Sequence, residues 1–170
     1  MKAYQVFGGL SPALSGEILE FAYSTDKTLY RTALDAVAQL RKVRPIYLER
    51  QPRTERHTSM ATALSRPGLD LAADGLIRNW LLKKNTNMLT EFLDSLNITH
   101  DKGVVEDLPA TVEETALEKA VEALLAKYPA ETVAVYLHAF HEMNEGKWSN
   151  LAAHIETDPR LQLKQPEKRQ

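Results

Sequence analysis

Apolar residues recur every three or four positions along most of this chain, the spacing that gathers them on one face of an α-helix. The clearest run is Tyr30, Ala33, Leu34, Val37 and Leu40. Ser24 or Thr25 stands ready to cap its start, Arg41 and Lys42 favour the C-terminal end of the helix dipole, and Pro45 predicts a stop near Val43. Upstream, Ser11-Pro12 reads as an N-cap followed by proline at the first helical position, opening a short helix that ends near Tyr23. The interval between Pro45 and Pro52 reads as a short helix or turn, and a further helix runs from about Arg53 to Leu64, closed by Pro67-Gly68.

From Asp70 to Asn97 the apolar positions would form one stripe if Lys84 did not fall in its middle. The polar run Lys83 to Asn87 therefore predicts a break, with Asn85 or Thr86 starting a second helix. Periodicity lapses between Ile98 and Ala110, where 98–105 carries the chain's one strand signal, read either as a small hairpin around Asp101-Lys102-Gly103 or as plain loop. Thr111 with Glu114, or Thr115 with Glu118, offers a capping box for a helix buried through Leu117, Ala120, Val121 and Leu124. After Pro129 a strongly apolar helix follows, with Val133, Tyr136, Leu137, Phe140 and Met143 facing one way and Val135 and Ala139 towards the far side. A polar stripe of roughly 100° remains on it, holding Glu131, His138, His141, Glu142 and Glu145. A last helix spans about Trp148 to Glu156.

These elements predict an all-α fold of seven to eight helices, a single-domain bundle or a short stack of helical hairpins. The helical domain is expected over 11–161, between an N-terminal segment, 1–10, and a flexible tail, 162–170. Two segments, Trp80 to Pro109 and Tyr136 to Leu163, share an aromatic-led helix, a polar break and a second helix, a suggestion of a repeat without matching residues.

At 170 residues the chain is long enough to bury a core without crosslinks, and with no cysteine it has none to make. That absence, with no apolar run long enough for a signal segment or a membrane span, points to the cytoplasm and to no membrane. Net charge is −2, unevenly placed. Residues 1–85 hold 13 Lys and Arg against 8 Asp and Glu, and residues 86–170 hold 8 against 15, so the basic front and acidic back either dock on each other or serve different partners.

Two candidate chemistries follow. A basic segment over 41–57, with Arg44, Arg50, Arg53 and Arg56 and an interleaved Tyr47, is the footprint of a phosphate backbone or of a partner surface, although Glu49 and Glu55 dilute it. The stripe of His138, His141 and Glu142, with His154 on the next helix, has ligand-type spacing for a divalent metal but matches neither His-Glu-x-x-His nor the carboxylate-rich di-iron pattern. Otherwise there is no phosphate loop, no nucleophile elbow and no convergent carboxylate pair, so no catalytic residue, cofactor or metal ligand is assigned. Trp80 and Trp148 are expected to be core residues. The expected function is a non-enzymatic helical protein–protein interaction or regulatory module with a protein partner. Alternatives are a nucleic-acid-associated protein using 41–57, and a metal-dependent enzyme using His138 and His141.

Overall fold

The computed structural model describes residues 1–164. Among these residues the chain forms ten α-helices and no sheet, so the fold is all-α, with more helices than the seven to eight expected. They are α1 (Ala3–Gly9), α2 (Pro12–Thr25), α3 (Lys27–Arg41), α4 (Pro45–Glu49), α5 (Arg53–Leu64), α6 (Asp70–Asn79), α7 (Thr86–Ser95), α8 (Glu114–Lys127), α9 (Ala130–Met143) and α10 (Ser149–Thr157). The excess comes from short elements. The N-terminal segment is itself the helix α1, held by buried Val6 and Phe7, and the interval after Pro45 is one turn of helix, α4.

Two compact units divide the described chain, Lys2–Trp80 with Lys164, and Leu81–Leu163 with Met1. The first contains 11 Lys and Arg against 8 Asp and Glu through Trp80; the second contains 7 against 14 from Leu81 to Leu163. The uneven charge of the sequence thus follows the division into units.

In the first unit Ser11 caps α2 through a side-chain oxygen that accepts from the Leu14 N–H, with Pro12 at the start as predicted. The helix then runs past Tyr23 to Thr25, because its successor is capped by Asp26 and not by Ser24 or Thr25. The Asp26 carboxylate accepts from the Leu29 N–H at 3.0 Å. Lys42, in the left-handed region at φ 56°, ends α3 before Pro45. Helix α2 packs on α3 and α5, and α3 on α6, around Ile18, Leu19, Leu34, Leu48, Met60, Leu64 and Leu76. Leu40, expected on the buried stripe, is exposed at the end of α3.

The predicted break near Lys84 is a π turn over Trp80–Lys84. A wider turn rephases the apolar stripe, so that Trp80 and Leu81 are buried, Lys83 and Lys84 reach solvent, and Met88 returns to the core of α7. Asn85 holds the N-cap position of α7, and the Thr86 hydroxyl donates to the Leu82 carbonyl.

The second unit has an aromatic centre. Phe92, Tyr136 and Phe140 meet edge to face at 5.5 to 5.9 Å, and Phe140 lies 5.2 Å from Trp148. Trp148 is buried, as expected for a core residue, and its Nε1–H donates to the Pro109 carbonyl at 2.8 Å. Asn150 donates to the Val112 carbonyl at 2.9 Å, so α10 ties down the helix-free segment before α8. The strand signal at 98–105 does not become a hairpin. Asp101 and Val104 exchange both backbone hydrogen bonds at 2.9 Å around Lys102 and Gly103, and pairing stops there. Both turn residues have positive φ, 49° and 91°, so the turn chemistry was real but no strand length supports it.

Helix α8 has Glu113 at its N-cap position and no side-chain cap, so neither expected capping box forms. On α9 the expected faces also shift. Val135 is buried, Met143 is 56% exposed, and His138 lies in the core, not on a polar edge. At the C-terminal end Leu161 and Leu163 are buried, and Gln162 donates to the Glu156 carbonyl; the rest of the expected tail, 165–170, lies outside the described residues.

Candidate functional site

The four candidate arginines belong to one stretch of sequence, but the fold sends them to two places in the first unit. Arg44 and Arg50 flank α4. This helix presents one apolar residue inward, Leu48, which is fully buried, and leaves Ile46 and Tyr47 49% and 62% exposed. Five residues are too few to wrap two apolar faces around a core, so burial of Leu48 forces its neighbours outward. Val43, Arg44, Ile46, Tyr47, Arg50 and Pro52 line a shallow depression of about 620 Å³. Glu49 of the same helix is taken by Arg31 in an ion pair. Among the described residues neither Arg44 nor Arg50 has an ion-pair partner.

Arg53 and Arg56 turn instead onto the aromatic pair Tyr23 and Tyr30. The Arg53 guanidinium lies 4.7 Å above the Tyr23 ring, and that of Arg56 lies 5.8 Å from it. Arg53 Nε also stands 3.3 Å from Glu20 Oε2. Their charges are answered within the first unit.

Beneath them lies His57, only 6% exposed and on the buried face of α5 with Met60 and Leu64. Its Nε2 is 2.8 Å from the Tyr30 hydroxyl. The ring's other nitrogen, Nδ1, is left without a protein partner within hydrogen-bond range. Burial pushes the imidazole down to about 4, against the opposing pull of Glu20 and with help from Arg56 and Arg53, so His57 is neutral at physiological pH. Burial likewise raises the Tyr30 phenol, which stays protonated. Glu20 Oε2 is the nearest carboxylate oxygen to Nδ1, at 3.8 Å, outside hydrogen-bond range.

His57 Nδ1 faces a cleft of about 610 Å³ between the α1–α2 corner and α5. That volume is in the range of small-molecule sites. Gly8, Pro12 and Gly16 form one wall, Thr54, Thr58 and Thr62 the other, and Glu20 and Arg53 sit at the rim. Sequence reading placed His57 only as part of the basic segment. Its register with Met60 and Leu64 marks a buried position, but the Tyr30 partner, 27 residues away, has no signal in the sequence.

The histidine stripe on α9 does not converge. His138 Nε2 donates to the Leu161 carbonyl at 2.9 Å inside the second unit, and His154 on α10 pairs with Glu114 at 2.7 Å. Glu142 lies 3.8 Å from the amino group of Met1. Among the described residues no group of three or more His, Asp or Glu side chains is placed to hold a metal ion, and no helix is long and apolar enough to cross a membrane. Comparison with protein-family models, with curated proteins and with solved structures finds no match to this chain.

Proposed function

We propose that the protein is a non-enzymatic interaction module that docks an acidic, apolar-anchored segment of a partner protein on α4. The observation that supports this reading is the α4 surface itself. Ile46 and Tyr47 stand exposed between Arg44 and Arg50, two cations without an ion pair among the described residues. Tyrosine and arginine around a depression are the residue types that anchor protein interfaces. Flanking positive charge selects against basic partners and raises the encounter rate with acidic ones. Nucleic acid is the weaker reading, because Arg53 and Arg56 turn away from this surface to Tyr23, Tyr30 and Glu20, and the patch keeps an aliphatic residue where a base-stacking site would carry a second aromatic. A cysteine-free chain of this kind suits the reducing cytoplasm, and we place it there.

The test is photocrosslinking in the native cell with p-benzoylphenylalanine in place of Tyr47, followed by sequencing of the joined segment. The expected product is a peptide rich in Asp and Glu around Leu, Ile or Phe, lost when Arg44→Glu and Arg50→Glu are introduced together. Recovery of nucleic acid, of a basic segment, or of no product would overturn the reading.

A further inference from the structure

The cleft beside His57 is made of residues that the α4 surface does not use, and its polar groups are unequal in kind. Ser15 donates its hydroxyl hydrogen to the Pro12 carbonyl, Thr58 to Thr54, Thr62 to Thr58, and Ser65 to Thr62, at 2.6 to 3.2 Å. With those hydrogens held by the main chain, the hydroxyl oxygens offer the cleft lone pairs only. The Glu20 carboxylate adds further acceptors. Against them stand a donor, the Arg53 guanidinium, and the open Nδ1 of His57, which meets no protein partner within hydrogen-bond range.

The charge balance narrows the ligand further. A cation entering here would meet Arg53; an anion would meet Glu20 and a wall of oxygen lone pairs. A neutral molecule carrying many O–H donors satisfies both the acceptor wall and the small donor set. Its carbon skeleton would lie against Phe7, Leu10 and Ala61, which supply the apolar part of the lining.

We propose that this cleft binds a small neutral polyhydroxylated molecule of the sugar or polyol class. One ligand hydroxyl pairs with His57 Nδ1, and the ligand's other hydroxyls donate to Glu20 and to the threonine oxygens of α5. His57 is the positioning residue. Burial and the Tyr30 hydrogen bond fix its ring, so Nδ1 is aimed before the ligand arrives.

Gly16 supplies the means of testing this. It lines the cleft, and a Cβ built on it meets nothing within 4 Å, so a larger side chain there fills the cleft without displacing neighbours. The full chain, isotope-labelled at histidine and backbone nitrogen, is titrated in turn with glucose, myo-inositol, acetate and spermidine. At least one of the two polyols is expected to give a saturable shift of His57 Nδ1 and of the Thr58 and Thr62 amides. Gly16→Ala should retain it, and Gly16→Leu, with an undiminished melting temperature, should weaken it at least about tenfold, equivalent to about 1.4 kcal/mol. The proposal is overturned if neither polyol saturates, if acetate or spermidine produces the shift in their place, or if folded Gly16→Leu binds the polyol as well as the wild type.

Discussion

The two units each bury a histidine on a helix, His57 in α5 and His138 in α9, and both are 6% exposed. Burial is the largest cause holding each imidazole below its usual range. What differs is the second half of each ring's environment. His138 donates from Nε2 to the carbonyl of Leu161, the residue that closes the short 3₁₀ turn Pro159–Leu161 over α9, so its hydrogen is inside the protein's own main-chain accounting. His57 spends Nε2 on the Tyr30 hydroxyl and leaves Nδ1 facing a cleft. Equal burial thus gives one closed ring and one open ring. The teaching is that a buried histidine marks a site only when one of its nitrogens still looks outward.

The sharpest way to break this comparison is at the closed member. His138→Ala leaves a cavity and strands the Leu161 carbonyl, and should lower unfolding free energy by about 3 kcal/mol in urea denaturation. A loss below about 1 kcal/mol would show that the α9 packing does not depend on that bond.

The open member predicts a pH effect of similar size. His57 titrates near 4 in the folded chain and near 6.5 when unfolded. Above the unfolded value both forms are neutral and the contribution is complete. As pH falls from about 6.5 towards 4 the unfolded chain takes up a proton that the folded chain refuses, and stability drops by about 3 kcal/mol. The carboxylates of Glu91, Glu122 and Asp158, lowered by hydrogen bonds from Lys127 and Arg160, also lose stabilisation as they protonate in acid. The measurement is therefore the difference between wild type and His57→Phe at pH 7 and pH 4.5; equal slopes would remove His57 from the account.

A smaller effect is expected from Tyr30→Phe, which takes the hydrogen-bond partner from His57 Nε2. It should cost about 1–2 kcal/mol in urea denaturation and move the nitrogen chemical shifts of the His57 ring. Unchanged stability and shifts would show that the Tyr30 hydroxyl does not hold the ring. The smallest change is Gly16→Ala, expected to stabilise α2 by about 0.5–1 kcal/mol in thermal melts, since the position is helical and sterically open.

Much of the helical layout was legible because a 3.6-residue period leaves a one-dimensional trace. The proline and glycine punctuation at Pro12, Pro45, Pro67 and Pro129 located the helix boundaries nearby, and the misplaced Lys84 located the π turn. Caps were read less well. Ser24, Thr25, Thr111 and Thr115 are all competent residues, and nothing local says that Asp26 and Glu113 hold the positions instead. The candidate arginines were visible as a cluster, but their separation into an outward pair and a pair stacked on Tyr23 was not.

From the chain of residues alone, then, come the helical class, the rough boundaries, the basic front and the acidic back, because each is a property of neighbours in sequence or of composition. Tertiary packing decided which side of each helix was covered. That choice made His138 a core residue, exposed Tyr47, and brought Tyr30, Arg56 and Glu20 around His57. Contacts between residues tens of positions apart depend on how helices stack, and stacking is set by the shapes of whole faces, which no local periodicity records.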